Sequence, residues 1–198
     1  MKKIKTVFVI DREAGLAINE VVPESEWVIN GDGVATIKFD GTSCMIRDGK
    51  LFKRYDAKAG RTPPAGWEPC EDAPDPKTGH HPGWVEAVAD APENRFHREA
   101  FEGGNFENGT YELVGPKISS TTHNWIKGKF VRCGSVTNRY NLERHELWRH
   151  GTEVVENFPR TFEGMREWFE EHEVEGIVFH HEDGRFAKIR RKDFGIVW

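Results

Sequence analysis

The sequence predicts an α+β fold in which helices flank antiparallel sheets. Most of the chain alternates short runs rich in β-branched and aromatic residues with turn clusters of Gly, Asp and Asn, which is the pattern of antiparallel strands. Only two helices are predicted, a short one after Trp84 and an amphipathic one after Thr161. The chain of 198 residues, with 7 Trp and 13 Phe, is long enough to bury the core of one substantial domain.

The strands are indicated by their alternation and by the turns between them. A turn cluster, Asn30 to Gly33, precedes the run that ends at Phe39. Asp48-Gly49 lies between two strand-like runs and favours the type I′ turn of a β-hairpin. The predicted strands are 5–10, 16–22, 34–39, 43–47, 50–54, 110–114, 145–149, 176–179 and 185–191.

One long loop and two helices are predicted among these strands. Residues 60–83 are rich in Pro, Gly and acidic residues, and they predict a long loop. A short helix is predicted between Trp84 and Phe101, with a break near Pro92. Thr161 is a favourable N-cap for a second helix, which has apolar residues on one face and glutamates largely on the other. No linker divides the chain, so we expect a single domain over residues 1–198.

The charge is unevenly distributed along the chain. A formal net charge of −5 taken alone argues weakly against a nucleic-acid partner. Residues 50–61, however, hold five basic residues against one acid, and residues 185–192 hold five with no acid. The acids collect instead in residues 68–75 and 153–175. The pattern therefore predicts a basic face on a protein whose net charge is negative. The plainer alternative is two solvated basic surfaces that bind no ligand.

Several classes of protein are disfavoured by composition. No apolar run approaches the roughly 18 residues of a membrane span. The basic N-terminus is followed too soon by Asp11, Arg12 and Glu13 for a signal peptide. The three cysteines are far apart and lack Cys-x-x-Cys spacing, which disfavours a disulfide framework or a zinc site. We therefore expect a reducing, cytoplasmic setting and no membrane partner.

Lys38-Phe39-Asp40-Gly41 is the most informative segment for chemistry. It ends an apolar strand-like run and offers a nucleophilic lysine beside a carboxylate and a tight turn. With an ordinary pKa of about 10.4, only about one lysine in a few thousand is neutral at pH 7. A site that uses the amine must therefore desolvate it or place cations beside it. Glu112, Glu175, Lys188 and Arg190, further along the chain, are residue types of a phosphate and metal site.

Five short segments, taken in order, resemble the nucleotidyltransferase motifs of polynucleotide ligases and capping enzymes. A lone Lys-x-Asp-Gly arises by chance in roughly a few per cent of chains of this length. The ordered set, each member on a predicted strand, is far more specific, although Arg190 stands where many members have a second lysine. The five segments are Lys38-Phe39-Asp40-Gly41, Lys53-Arg54-Tyr55-Asp56, Tyr111-Glu112-Leu113-Val114-Gly115, Glu175-Gly176-Ile177-Val178 and Lys188-Ile189-Arg190.

The finer resemblance is to the compact 5′–3′ RNA ligase family that includes the vertebrate enzyme and viral and bacterial relatives. Residues 38–44 and 78–84 carry it. It implies a nucleotidyltransferase fold, the ATP-grasp-like adenylation domain of ligases. Because the chain ends at Trp198, soon after the fifth motif, we expect no OB-fold domain. Residues 1–33 are too short for the added N-terminal domain of NAD-dependent ligases.

The resemblance implies catalytic roles for four residues and a metal ligand. Lys38 would attack the α-phosphorus of ATP and hold AMP through a phosphoramide bond. Asp40, which would share a strand face with Lys38, would take part in joining. Lys188 and Arg190 would face the phosphates and compensate their charge. Glu175 would bind Mg²⁺ or Mn²⁺, directly or through water.

The remaining binding residues follow from the same resemblance. Glu112 would bind the ribose hydroxyls of the nucleotide, and Arg54 would contact the nucleotide or the 5′-phosphate of the RNA. An adenine-stacking aromatic residue is expected on the strand after the third motif. Trp148 is the first candidate for it, and Trp125 and Phe130 are close alternatives.

The expected function is that of an ATP-dependent RNA ligase with a role in RNA repair. It would join 5′-phosphate and 3′-hydroxyl RNA ends through a lysyl-AMP intermediate and an adenylated RNA 5′ end. One alternative is a DNA ligase or capping guanylyltransferase core that acts with a partner chain. Another is a non-catalytic nucleotide-binding or RNA-binding module. The choice between Mg²⁺ and Mn²⁺ and the oligomeric state stay open.

Overall fold

The computed structural model confirms a mixed α+β architecture with antiparallel sheets and few helices. The structure describes residues 3–58, 60–76, 78–118 and 139–197, and the backbone alone of 121–126 and 129–135. The chain divides into two compact units. Unit 1 comprises Met1–Lys3, Asp40–Ser119 and Thr137–Arg149, and unit 2 comprises Ile4–Phe39, Ser120–Val136 and His150–Trp198. The nucleotidyltransferase domain over residues 1–198 stays a prediction.

The elements are numbered in chain order. The described helices are α1 (Glu26–Ile29), α2 (Arg95–Phe101) and α3 (Phe162–Glu171), with 3-10 turns at Pro23–Ser25, Pro92–Asn94 and Arg191–Phe194. The described strands are β1 (Lys5–Thr6), β2 (Phe8–Ile10), β3 (Ala17–Val21), β4 (Val34–Lys38), β5 (Thr42–Arg47), β6 (Lys50–Lys58), β7 (Glu68–Pro69), β8 (His80–Glu86), β9 (Gly109–Val114), β10 (Thr121–Ile126), β11 (Lys129–Ser135), β12 (Glu146–Arg149), β13 (Gly176–His180) and β14 (Phe186–Arg190).

Unit 2 is built on a four-stranded sheet with the order β1-β14-β13-β4. β13 is antiparallel to both of its neighbours, whereas the short β1 is parallel to β14. The alternate residues of β4, β13 and β14 form one apolar face, which packs in a core with α3. The Thr161 side chain accepts the Gly164 N–H at 3.1 Å, which confirms the predicted N-cap of α3. Members of this core include Ala35, Ile177, Phe179, Ala187, Ile189, Met165 and Phe169, and the partly buried Ile37 packs against them.

Unit 1 is built on a six-stranded sheet with the order β12-β9-β5-β6-β8-β7. The predicted hairpin is confirmed, since Asp48 and Gly49 have φ angles of 53° and 71°, as a type I′ turn requires. α2 belongs to the core on one face of this sheet, through Phe96 and Ala100. The strand residues of this core include Cys44, Ile46, Leu51, Tyr111, Leu113 and Leu147.

Three predictions about local structure are wrong. The first predicted strand splits at Val7, so that Lys5–Thr6 pairs with β14 and Phe8–Ile10 pairs with β3. The segment predicted as one long loop contains β7 and the start of β8, because β8 pairs along β6 in spite of its Pro82-Gly83. The helix predicted after Trp84 begins only at Arg95, since residues up to Glu86 continue β8.

Candidate active site

One face of the sheet in unit 2 carries the predicted lysines and arginine. Gly176 of β13 lies opposite Lys38 on one neighbouring strand and opposite Arg190 on the other. In the next row, Val178 lies opposite Lys188. Side chains that oppose one another across antiparallel strands project to the same face, and alternate residues share that face. Three cations from distant parts of the sequence therefore project from the face opposite the core.

Lys38 and Glu175 form an ion pair on this face. Their side chains are 25% and 16% exposed, so the pair is partly shielded from water. The Lys38 Nζ also donates to the Phe39 carbonyl at 3.3 Å. The ion pair requires the protonated amine, whereas nucleophilic attack requires its lone pair. Any nucleophilic role of Lys38 would therefore require loss of the proton that this ion pair stabilises.

Lys188 lies beside this pair in a poorly solvated position. Burial, with a smaller contribution from the charges of Arg190 and Lys38, lowers the pKa of Lys188 to about 8. The carboxylates of Glu175 and Asp193 oppose that shift. Lys188 is thus a cation near neutral pH whose charge is poorly stabilised by the protein itself.

Arg190 is held by Asp193, a residue that the sequence analysis missed. The Arg190 Nη2 donates to Asp193 Oδ1 at 2.7 Å, and its Nε donates to the same carboxylate at 3.1 and 3.2 Å. Asp193 is 2% exposed and also accepts the Arg190 backbone N–H at 2.9 Å. One edge of the guanidinium is therefore occupied by Asp193, which fixes the side chain in a fork geometry.

Lys192 adds a fourth cation to the group and was also missed. Desolvation and then the charge of Arg190 lower the pKa of Lys192, while Glu175 and Asp193 oppose the change. Glu175 and Asp193 are already paired with Lys38 and Arg190. Within the described residues, neither Lys188 nor Lys192 makes an ion pair with a carboxylate. The group has four cations and two carboxylates, and this excess of positive charge favours an anion such as a phosphate.

The predicted residues of unit 1 lie together on one face of its sheet. Glu112 lies opposite Ser43 on β5 and opposite Trp148 on β12. On the next two strands, Met45 lies opposite Phe52, and alternation places Ser43 and Arg54 on that same face of β5 and β6. The Arg54 guanidinium carbon lies 5.6 Å from the centre of the Trp84 ring. Three side chains predicted to bind the nucleotide thus share one face, opposite the core that includes α2.

This face has a polar group that a bound molecule can satisfy. The Ser43 hydroxyl oxygen is buried and has no hydrogen-bond partner among the described residues. Gly41 brings the chain close to β9, since a Cβ atom there would lie 2.2 Å from the Leu113 carbonyl oxygen and 2.9 Å from Glu112 Cγ. A side chain at position 41 would therefore displace Glu112, so this position requires glycine. Both features fit a polar ligand such as a nucleotide.

Asp40 is buried in unit 1 by two residues that sequence reasoning missed. Its carboxylate accepts the Arg139 Nε–H at 3.0 Å, and its backbone N–H donates to the Tyr140 hydroxyl at 2.7 Å. The Tyr140 ring lies 4.6 Å from that of Trp148. The expected common strand face for Lys38 and Asp40 is wrong, because β4 ends at Lys38. Arg139 and Tyr140 lie about a hundred residues from Asp40 in the sequence, so no local pattern indicated that they contact it.

Trp148 therefore lies next to a second aromatic ring and in register with Glu112. Its Nε1–H donates to Glu146 at 2.7 Å, which fixes the indole. The side chains of the alternative candidates, Trp125 and Phe130, lie outside the described residues. The identity of the adenine-stacking residue stays a prediction.

The donor set is more suitable for a hydrated divalent ion than for a protein-caged one. No group of three or more His, Cys, Asp or Glu side chains in the described part of the chain is placed to hold a metal. Mg²⁺ commonly binds through one or two carboxylates and keeps several waters, so Glu175 alone fits such an ion.

Among the helices that the structure describes, none has the length and apolar character to cross a membrane.

The chain is similar to two mammalian RNA ligases. It is 24% identical to RNA ligase 1 of Rattus norvegicus over 246 aligned residues, which cover 88% of the chain and 72% of that protein. It is 25% identical to RNA ligase 1 of Mus musculus over 239 aligned residues, which cover 88% of the chain and 71% of that protein. No established family profile matches the chain. The similarity, at this identity, supports a distant relationship to RNA ligases.

Proposed function

We propose that this protein is an ATP-dependent RNA ligase that joins 5′-phosphate and 3′-hydroxyl RNA ends. The observation that carries the proposal is the position of Lys38, which is paired with Glu175 on the same sheet face as Lys188 and Arg190. A lysine beside a carboxylate and an excess of cations suits covalent nucleotidyl transfer. The similarity to RNA ligase 1 of two mammals supports RNA as the substrate.

The first step loads AMP onto the protein. After Lys38 separates from Glu175 and loses its proton, its lone pair attacks the α-phosphorus of ATP. A P–N bond forms, the bond between the α- and β-phosphates breaks, and pyrophosphate leaves with the electron pair. The nearby cations, Lys188, Arg190 and Lys192, compensate the negative charge on the triphosphate.

The second and third steps transfer AMP and join the ends. An oxygen of the RNA 5′-phosphate attacks the α-phosphorus, the P–N bond breaks, and the Lys38 nitrogen leaves with the electron pair and takes up a proton. The 3′-hydroxyl of the other end then attacks the 5′-phosphate, loses its proton, and expels AMP. We assign binding of the nucleotide or the 5′-phosphate to Arg54, and a part in joining to Asp40. Glu112 and Trp148 would bind the ribose and the adenine.

A divalent metal fits the proposal through Glu175. Bound there as Mg²⁺ or Mn²⁺, it would supply positive charge to the triphosphate. Glu175 would orient such an ion through one carboxylate, and the same carboxylate holds Lys38 in the structure. Release of Lys38 from this carboxylate is therefore part of activation.

Covalent labelling tests the proposal directly. The protein is incubated with ATP, GTP or NAD, each labelled in its nucleotide, and with Mg²⁺ or Mn²⁺, and adducts are located by mass spectrometry and peptide mapping. We expect AMP from ATP on Lys38, no adduct with Lys38→Ala, and normal labelling with Lys117→Ala, which changes an exposed lysine of unit 1. Loss of adenylation should be complete, because the proposed P–N bond forms at the Lys38 amine.

The outcomes separate the alternatives. A GMP adduct would favour a guanylyltransferase, and an AMP adduct from NAD would favour another class of ligase. An unlabelled wild-type protein that still binds ATP would favour a non-catalytic module. RNA joining that is unchanged in Lys38→Ala would contradict the covalent mechanism.

A further inference from the structure

The sheet face that carries Lys38 ends in an exposed apolar patch. His180 lies opposite Val34 on β4 and opposite Phe186 on β14, which makes a third row beyond that of Val178. Val34 is 50% exposed and Phe186 is 41% exposed. The opposite face of the same strands is buried in the core of unit 2. This patch is therefore an apolar surface that the core of unit 2 does not use.

Phe186 is oriented by its neighbour rather than left as a loose side chain. The His180 ring lies edge-on to the Phe186 ring, with the centres 5.0 Å apart and the planes at 84°. His180 is itself fixed by a 2.8 Å hydrogen bond between its Nε2 and the Thr36 hydroxyl. Thr36 is 2% exposed, so this anchor is buried. One side of the Phe186 ring is thus supported while a large part of it faces solvent.

The patch continues directly into the cationic group. Phe186, Lys188 and Arg190 alternate along β14, so they follow one another on one face at intervals of roughly 6.6 Å. An aromatic surface beside a line of cations is the combination that binds single-stranded nucleic acid. The cations follow the phosphates, and the ring stacks on a base. Binding of an apolar protein partner would be unfavourable here, because it would desolvate the charges of the adjoining lysines.

We propose that Phe186, flanked by Val34 and supported by His180, is a stacking platform for a nucleobase of the RNA substrate. The base lies on the exposed part of the Phe186 ring, and the adjoining phosphate lies towards Lys188. This inference rests on the proposed function, which it extends by giving the RNA strand a binding site in unit 2.

Direct binding measurements test the platform without requiring any chemistry. The probe is a 5′-phosphorylated, fluorescently labelled single-stranded oligoribonucleotide, titrated with the full chain without ATP. Phe186→Ala is expected to raise the Kd for this RNA roughly tenfold, since stacking on one base has about that value. Phe186→Trp, which keeps an aromatic surface, is expected to retain most of the affinity. Ile18→Ala changes a side chain of unit 2 that is 39% exposed, and it is expected to bind like the wild type.

Two results would overturn the proposed stacking platform. One is an equal Kd for Phe186→Ala and the wild type. The other is a rise in the KM for ATP in Lys38 adenylation that exceeds the loss of RNA affinity, which would assign the patch to the adenine. Circular dichroism of each variant shows whether it is unfolded. If Phe186→Ala is unfolded, the Kd of Phe186→Trp tests the platform, which requires that most of the affinity be retained. If the wild type forms no lysyl-AMP, the proposed function fails, whereas the RNA-binding comparison still tests the platform.

Discussion

Lys188 links the charge of the candidate site to pH. Because burial lowers the pKa of Lys188 to about 8, its ammonium is largely present below that pH and is lost above it. In the proposed reaction, this charge would compensate the charge of the bound triphosphate. We therefore predict that kcat/KM for ATP in the adenylation of Lys38 falls as the pH rises through about 8, mainly through a higher KM. The measurement is the initial rate of lysyl-AMP formation across the pH range, where kcat/KM reports groups of the free protein.

Lys188→Arg is the matched variant for this prediction. A guanidinium stays charged throughout the accessible pH range, so the decline assigned to Lys188 should disappear or move to higher pH. Deprotonation of Lys38 for attack has the opposite pH dependence, because a higher pH favours the neutral amine. A decline at the same pH in both proteins would show that another group is responsible.

The sequence could identify the residues of the site that belong to short motifs. Lys188 and Arg190 alternate on β14, and the pairing of β4 and β14 with β13 places Lys38 on the same face. Glu175 lies just before β13 and is linked to this face by its ion pair with Lys38. The sequence did not predict which side chains these residues contact. The pairing of Arg190 with Asp193 depends on how the chain turns after β14, and a turn of four residues has no periodicity to detect.

At the level of elements, the 3-10 turn after β14 organises the cationic group. The Arg191 backbone N–H donates to the Glu175 carbonyl at 3.0 Å, and the Arg191 guanidinium donates to the His172 carbonyl at 2.7 Å. The turn thus fixes the segment that leads into β13 as well as the end of β14. Asp193, within the turn, holds Arg190. Displacement of this turn would therefore change Glu175 and Arg190 together.

We predict that Asp193→Asn destabilises unit 2 and weakens nucleotide binding. The change removes the charge that holds Arg190 and leaves a buried, less suitable partner, which should cost about 2 kcal/mol in the free energy of unfolding. Chemical denaturation gives this energy, and the KM for ATP in adenylation reports the loss of positioning. Asp183→Asn is the control, because Asp183 pairs with Arg185 in an exposed turn. An equal loss of stability in both variants would contradict the role of the buried pair.

Some strands were predictable from local sequence, whereas others are placed by their pairing partners. β4 and β13 were predictable because each contains a short apolar run, bounded by glycine at its start and by a polar residue at its end, and one face of each lies in a core. β8 contains Pro82 and Gly83, residues that favour loops, and its place in the sheet comes from pairing with β6. The break at Val7 depends on two different partner strands, which local composition does not encode. α1, with four residues, is too short for a helical period.

For the molecule as a whole, net charge and local charge have opposite signs. The chain carries −5 overall, yet four cations of unit 2, Lys38, Lys188, Arg190 and Lys192, are grouped with two carboxylates among the residues that the structure describes. A net negative protein repels RNA at long range, while a local excess of cations attracts its phosphates at short range. Binding of RNA should therefore depend strongly on which lysine is removed, rather than on the total charge.

Lys192→Ala and Lys117→Ala distinguish local from total charge, since each makes the net charge more negative by one. If Lys192 contacts an RNA phosphate, its removal should reduce the slope of log K against log salt by about 0.7, because one fewer counterion is released from the single strand. Lys117, an exposed residue of unit 1, should leave the slope unchanged. The measurement is the affinity for a 5′-phosphorylated oligoribonucleotide at several salt concentrations. Equal slopes for the two variants would contradict a contact between Lys192 and an RNA phosphate.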